Sequence, residues 1–226
     1  MNGFTKEFEC LLNFIGWGDP VNGLWTIGIE EGGEWCKNDI EKVKKDIKSK
    51  LCQSFIEEEG SDLNWPVANG CAKIGCKLSD NCKDWTRYRD NILWRKNSQI
   101  FNGNIYPLGR KTIYKNFPKC YEELFGLNKN NLKNYYEIVK EKRFPLIRKM
   151  KKQYTPKAII CFGKTYWNDF KEVFELHNKN CNKTEYFEIF ENERIILIPH
   201  FSRGHMSDEK IDSLVEILIS WNINLS

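Results

Sequence analysis

The stretch PKAIICFGKTYWNDFKEVF, residues 156–174, contains the clearest strand and helix pair in the chain. Residues 158–162 are continuously apolar, and a proline and a glycine bound them. A short apolar run of this kind is typical of a strand that is buried on both faces of a parallel sheet. Tyr166, Phe170 and Val173 then recur at helical spacing, which predicts a helix directly after the strand. A strand followed by a helix is the repeating unit of an α/β fold.

Three more apolar segments have the composition of buried strands, and helical patterns separate them. The predicted strands cover residues 24–29, 100–106 and 195–198. Helical spacing predicts helices over residues 4–15, 38–59 and 84–95, and Ser207 is expected to cap a last helix. Residues 60–83 show no period and are predicted to form an irregular connection. We therefore expect one α/β domain over residues 1–226, a three-layer αβα sandwich with a central four-stranded, mostly parallel sheet.

The composition indicates a folded chain without a membrane segment. Of the 226 residues, 41% are hydrophobic and 14% are aromatic, which excludes a disordered tail. No run of 18 apolar residues occurs, and the N-terminus lacks the basic and then apolar pattern of a signal peptide. The expectation is a cytoplasmic monomer that has no membrane partner.

The nine cysteines are an odd number, and without an export signal they are expected to be reduced thiols. Cys71, Cys76 and Cys82 lie close enough in sequence to suggest a metal or iron–sulfur cluster as the alternative. Their C-x4-C-x5-C spacing matches no standard zinc pattern. We therefore expect no metal and no cofactor.

The charge balance permits a nucleic-acid partner without requiring one. The chain has 35 basic and 31 acidic residues, a formal net charge of +4. Between residues 140 and 157, eight Lys and Arg side chains stand against one acid. This basic segment could contact phosphates, and a solvated helix face is the alternative.

Polar side chains follow three of the predicted strands at the point where each strand ends. Glu30 follows the first strand, Asn104 lies at the end of the second, and His200 follows the fourth. Ligands of open α/β sheets bind outside the carboxyl ends of the strands. We therefore expect one carboxylate, one amide and one imidazole to converge on one rim of the sheet.

The motifs at these strand ends resemble those of the uracil-DNA glycosylase superfamily over residues 24–204. The motifs read GIEEG at 28–32, NIYPLGR at 104–110, FGK at 162–164 and PHFSRG at 199–204. In that superfamily the first motif, G-x-[D/N]-P-G or G-Q-D-P-Y, positions the hydrolytic water, and Glu30 occupies the place of its Asp or Asn. Asn104 corresponds to the Asn that reads the pyrimidine edge, and His200 corresponds to the His of the H-P-S motif.

The resemblance implies a monofunctional DNA glycosylase that hydrolyses the N-glycosidic bond of uracil or a 5-modified pyrimidine and leaves an abasic site. A carboxylate can stabilise the positive sugar and accept a proton from water, and an imidazole can stabilise the departing base. The implied catalytic residues are Glu30 and His200. The implied base-binding residues are Asn104, Trp35, Gly32 and Phe101. The implied DNA-binding residues are Ser202, Arg203, Lys164 and Arg110.

The chain departs from the superfamily pattern at several positions. Glu31 and Phe201 replace the two motif prolines, and Gly204 lies where a Leu or Arg wedge often enters the duplex. Arg203, His205 and Met206 are alternative wedges. Gly32 replaces the Tyr that excludes 5-substituted bases from the strict uracil enzymes. This predicts room for a modified base, such as a modified phage cytosine removed in antiviral defence.

The rival hypothesis is a protein of the same fold that binds a nucleotide or modified DNA without cleaving it. The choice between DNA repair and phage defence, and between single-stranded and double-stranded DNA, stays open at this point. In either case the base must leave the stack before a pocket can bind it.

Overall fold

The computed structural model describes residues 3–21, 23–37, 39–57, 62–95, 98–111 and 116–225. Within these residues the chain forms one sheet of eight strands in the order β3-β1-β4-β2-β5-β8-β7-β6. The strands are β1 (Gly16–Trp17), β2 (Leu24–Gly28), β3 (Phe55–Ile56), β4 (Ile100–Asn104), β5 (Ala158–Phe162), β6 (Asn182–Lys183), β7 (Glu188–Phe190) and β8 (Ile195–Ile198).

The four predicted strands form the middle of this sheet. Neighbours in the order β4-β2-β5-β8 all pair in parallel, and Gly28 at the end of β2 lies opposite Asn104 at the end of β4. The α/β class and the mostly parallel sheet are therefore confirmed. The prediction of a four-stranded sheet is wrong, because β1, β3, β6 and β7 are only two or three residues long and leave no period in the sequence.

Nine α-helices lie in the described ranges. They are α1 (Lys6–Asn13), α2 (Ile40–Lys50), α3 (Pro66–Lys77), α4 (Trp85–Asn91), α5 (Cys120–Phe125), α6 (Leu132–Ile138), α7 (Phe144–Tyr154), α8 (Trp167–Val173) and α9 (Asp208–Ser220). Ser207 caps α9 as predicted, since its hydroxyl accepts from the Lys210 N–H. No helix of the described part is long and apolar enough to cross a membrane.

The helices bury apolar side chains against both faces of the sheet. Alternate residues of each central strand point to opposite faces. Trp25 and Ile27 of β2 belong to one buried cluster with α1, α2 and α5 to α8. Leu24 belongs to the other cluster, which contains side chains of α3, α4 and α9. The carboxyl ends of the central strands remain uncovered between these two layers of helices.

Two predicted elements differ from the structure. The helix predicted over residues 38–59 is the shorter α2, and β3 follows it; residues 38, 58 and 59 lie outside the described ranges. The connection predicted over 60–83 contains α3. A Cβ atom on Gly70 would come within 2.2 Å of the Phe201 ring, so glycine is needed for this close packing. The small residues on the buried face of α3 therefore hide its apolar period.

The prediction of reduced thiols is wrong for six of the nine cysteines. Disulfides join Cys10 to Cys52, Cys36 to Cys120 and Cys76 to Cys82. The remaining Cys71 and Cys161 are buried, and Cys181 is half-buried. The alternative of a metal or cluster at Cys71, Cys76 and Cys82 does not fit the structure, because Cys76 and Cys82 are bonded to each other and Cys71 lies in the apolar core.

Candidate functional site

A cavity of about 730 Å³ opens where the central strands end. Four of those ends contribute a lining residue: Glu30 after β2, Asn104 of β4, Phe162 of β5 and His200 after β8. The expected carboxylate, amide and imidazole are thus brought together on one rim. The volume lies within the range of about 300–1,000 Å³ that is common for small-molecule sites.

Glu30 is held at the cavity wall by Arg110. The Arg110 Nε–H donates to both carboxylate oxygens, with Nε–Oε distances of 3.0 and 3.1 Å. The exposed fractions of the two side chains are only 5% and 9%. Burial raises the pKa of the Glu30 carboxyl above its ordinary value, although the Arg110 charge opposes this shift. Arg110 also contacts the hydroxyls of Tyr136 and Tyr166, at 3.4 and 3.5 Å.

The hydrogen bonds of His200 determine which of its ring nitrogens carries the proton. The Ser202 backbone N–H donates to His200 Nδ1 at 3.0 Å, and Ser202 Oγ lies 2.7 Å from the same atom. Because a backbone N–H can only donate, Nδ1 is an acceptor and the neutral ring carries its hydrogen on Nε2. Burial, together with nearby His205, lowers the pKa of His200. His200 therefore lines the cavity as a neutral imidazole with its N–H donor at Nε2.

Arg143 holds the backbone of Asn104, whereas the side-chain amide of Asn104 can pair with a ligand. Arg143 donates to the Asn104 carbonyl from Nε and Nη2, at 3.2 and 2.8 Å. The side-chain amide is 8% exposed and has no hydrogen-bond partner among the residues that the structure describes. A Cβ atom on Gly28 would lie 2.5 Å from Asn104 Oδ1 and 2.6 Å from the Phe162 ring. Glycine at position 28 therefore leaves the space that both side chains occupy.

Phe162 and Asn102 line the cavity at the strand ends and were not predicted as base-binding positions. The Phe162 ring is 3% exposed, and its centroid lies 5.5 Å from that of His200. Its place at the end of a strand was the signal that could have identified it. Asn102 precedes Asn104 by two residues and so shares its face of β4. Its amide oxygen accepts from the Thr26 hydroxyl at 3.1 Å.

Four tryptophans line the cavity, of which the sequence singled out only Trp35. The others are Trp17, Trp65 and Trp94. Trp35 lies in a short 3-10 helix, Trp35–Lys37, which the disulfide between Cys36 and Cys120 ties to α5. The Trp65 and Trp94 ring centroids are 5.9 Å apart. Trp94 has a φ of 58°, a backbone conformation that large residues rarely adopt.

The glycine predicted to open the pocket lies on its wall. Gly32 and its neighbour Gly33 both line the cavity. No atom of the described residues lies within 4 Å of the position that a Cβ would take at either glycine. The room expected beside Gly32 is therefore present.

Two predicted site residues lie elsewhere. Phe101 is fully buried on the opposite face of β4, where its ring packs 5.1 Å from Trp25 and 6.4 Å from Phe55. Strand alternation turns its side chain away from the cavity, so it cannot stack on a ligand there. Arg110 was predicted to contact DNA at the rim. Arg110 is instead buried behind the cavity wall, where its ion pair with Glu30 holds that carboxylate in place.

The remaining predicted DNA contacts are near the cavity or on the surface. Ser202 lines the cavity. Lys164 is exposed, with its Nζ 5.6 Å from the centroid of the Trp167 ring. The backbone of Arg203 lies in the 3-10 turn Ser202–Gly204, and its side chain is outside the described part. Met206, an alternative wedge, is only 7% exposed and packs in the core.

Much of the basic segment 140–157 is occupied by contacts within the protein. Lys140 pairs with Glu172, and Arg148 donates to the carbonyls of Glu172 and Val173. Arg143 is 2% exposed. These cations support the fold, which leaves fewer of them for phosphates than the sequence suggested.

Comparison with known proteins gives no family for the chain. No family model matches it, and no curated protein matches it.

Proposed function

We propose that the protein is a monofunctional DNA glycosylase, related to the uracil-DNA glycosylase superfamily, that releases uracil or a 5-modified pyrimidine from DNA as a monomer. The observation that carries this proposal is the convergence of Glu30, Asn104 and His200, from three strand ends, on one cavity. The unpartnered Asn104 amide and the Nε2–H of His200 match the mixed donor and acceptor edge of a pyrimidine.

The three side chains supply the functions that hydrolysis of an N-glycosidic bond needs. The base leaves the stack and enters the cavity, where the Phe162 ring packs against its face. Asn104 pairs with its edge. The Nε2–H of His200 donates to the base oxygen O2, which gains negative charge as the bond from the sugar C1′ to the base nitrogen breaks. The bonding electrons leave with the base.

Glu30 acts on the sugar side of the reaction. Its carboxylate stabilises the positive sugar and accepts a proton from the water that attacks C1′. The products are the free base, which takes up a proton, and an abasic site. Arg110 keeps Glu30 ionised and oriented, because both carboxylate oxygens accept from its Nε–H.

The open space at Gly32 and Gly33 supports a substrate with a group on carbon 5. Such bases occur both as DNA lesions and as protective modifications of phage DNA, so repair and antiviral defence are both compatible with the site. The cavity is also larger than an unmodified pyrimidine ring requires.

The test is base release from defined oligonucleotides. Single and double strands carrying uracil, 5-hydroxymethyluracil, 5-hydroxymethylcytosine or glucosylated 5-hydroxymethylcytosine are incubated with the protein and then treated with alkali, which breaks the strand at abasic sites. We expect breaks with at least one base, and their loss in Glu30→Gln. Binding without breaks on every substrate would contradict the proposal.

A non-catalytic DNA-binding protein is the second candidate. The observation that favours it is that both oxygens of Glu30 are already hydrogen-bonded to Arg110, which restricts the carboxylate as a base. This candidate predicts that Glu30→Gln binds the oligonucleotides as tightly as the wild type and that neither protein breaks them.

A further inference from the structure

We propose that the cavity binds a positively charged, ammonium-bearing substituent on carbon 5 of the pyrimidine. This inference rests on the proposed function and names the class of modified base that the site accepts. It is carried by the charge, the aromatic walls and the unpartnered polar groups of the cavity.

The first observation is the sign of the charge on the cavity wall. Four carboxylates line the cavity, those of Glu30, Glu31, Glu34 and Asp46, and none of its described lining residues is a lysine or an arginine. Arg110 compensates Glu30 from behind the wall. Glu34 and Asp46 are half-buried and form no ion pair with any side chain in the described ranges. An aqueous cleft of this sign concentrates cations.

The second observation is the aromatic surface beside these carboxylates. The indole rings of Trp17, Trp35, Trp65 and Trp94 line the same cavity. Among the aromatic side chains, tryptophan attracts ammonium groups to its face most strongly. Carboxylates and indoles together favour a cation over a neutral group of the same size, because both surfaces interact with its charge.

The third observation is a pair of buried polar groups at the cavity that have no partner among the described residues. The side chain of Asn104 is more than nine-tenths buried at the wall and has no partner among the described residues. The indole N–H of Trp94, a residue that is 2% exposed, is also buried without a partner in that part of the chain. Leaving a buried polar group unpaired costs free energy. A ligand that pairs with such groups recovers part of this free energy.

The geometry of the base gives the direction of the substituent. Carbon 2 and carbon 5 lie opposite each other across a pyrimidine ring. When O2 accepts from His200 Nε2, a group on carbon 5 therefore points away from His200 into the rest of the cavity. The open space beside Gly32 and Gly33 belongs to this same cavity.

The test compares two oligonucleotides that differ at one functional group. One contains 5-aminomethyluracil and the other 5-hydroxymethyluracil, so an ammonium replaces a hydroxyl at the same position. We expect kcat/KM to be on the order of tenfold higher for the aminomethyl base, a ratio that cation–π and carboxylate contacts can supply. Asp46→Asn and Glu34→Gln, singly and together, should lower this ratio towards one.

The matched control is Glu41→Gln. Glu41 lies on the same helix as Asp46, is 77% exposed and does not line the cavity, so its loss changes the net charge equally. The control should leave the ratio unchanged. A ratio near one in the wild type, a preference for the hydroxyl, or a preference that survives in the double variant would each overturn the inference while the glycosylase proposal stands.

Failure of the glycosylase proposal has a different result. If neither base is released, the same two oligonucleotides are compared by equilibrium binding. Tighter binding of the aminomethyl strand that is lost in the Asp46→Asn and Glu34→Gln double variant would still support a cation site. Equal binding of the two strands would overturn it.

Discussion

Arg110 and Arg143 are both nearly buried, yet they have different kinds of partner. Arg110 donates to a carboxylate, that of Glu30. Among the residues that the structure describes, Arg143 donates only to backbone carbonyls, those of Asn104 and of three residues at the end of α1. Both arginines lie behind the same cavity. The difference separates a charge that adjusts the chemistry of the site from a charge that holds its backbone.

Backbone carbonyls at the end of α1 serve Arg143 in place of an acidic side chain. The Leu11, Leu12 and Phe14 carbonyls lie 2.6–3.0 Å from Nη1, and carbonyls at a helix C-terminus carry its partial negative charge. Burial lowers the pKa of Arg143 to about 10, so the side chain stays charged at neutral pH. Arg143 thereby ties the strand end that carries Asn104 to α1, whose Leu11 is 132 residues from Arg143 in sequence.

The largest expected effect is the loss of base release when the carboxylate of Glu30 is replaced. Glu30→Gln should lower kcat for base release by about 10²–10⁴-fold, because an amide cannot accept the water proton. The size of Gln preserves the packing. Glu31→Gln is the control in the same loop, and a greater loss in this variant than in Glu30→Gln would show that the catalytic carboxylate is assigned to the wrong residue.

The next largest effect is a loss of stability, which tests the structural role of Arg143. Arg143→Met should lower the free energy of unfolding by about 3–5 kcal/mol, since it leaves four buried carbonyls without their donor. Urea denaturation measures this. Arg143→Lys keeps the charge and should recover part of the stability. A loss below about 1 kcal/mol in Arg143→Met would show that the carbonyls find other partners.

The contrast between these two arginines was not accessible from the sequence. Arg110 and Glu30 are 80 residues apart, and Arg143 lies among exposed lysines in a segment that reads as a basic stripe. What identifies each role is the burial of the guanidinium and the identity of its partner. Both depend on which helices cover the sheet, and a local pattern does not contain that information.

The central strands and the main site residues were predictable for a physical reason. Long apolar runs are buried wherever they occur, and parallel strands bring their carboxyl ends to one edge. Glu30, Asn104 and His200 follow from these two rules. Phe101 was misplaced because a shift of one residue along a strand moves a side chain to the other face. Phe162 was not chosen because it reads simply as the last core residue of its strand.

A third prediction concerns the imidazole of His200. His200→Ala should lower kcat by about 10²–10³-fold, the range for loss of one donor to a developing negative charge. His205→Ala removes a neighbouring imidazole outside the cavity lining and should have little effect on kcat. Comparable losses in the two variants would indicate that the loop, and not the His200 donor, is responsible.

The smallest effect is a shift in the pH dependence of kcat, which tests the role of Arg110. The Glu30 carboxylate must be ionised to act as a base, and the Arg110 charge lowers its pKa against the effect of burial. In Arg110→Met this pKa should rise, so the acid limb of the kcat profile should move to higher pH. Arg110→Lys restores a charge and should reverse part of the shift. The same acid limb in all three proteins would contradict the role of Arg110.

Glycosylase activity is tested most simply by the intact mass of an oligonucleotide after incubation with the protein. Glycosidic hydrolysis replaces the base with the hydroxyl of water, so the strand loses the mass of the free base and gains that of one water. We expect this change on a strand with a modified pyrimidine, and no change with Glu30→Gln. An unchanged mass on every strand to which the protein binds would show that the protein is not a glycosylase for these bases.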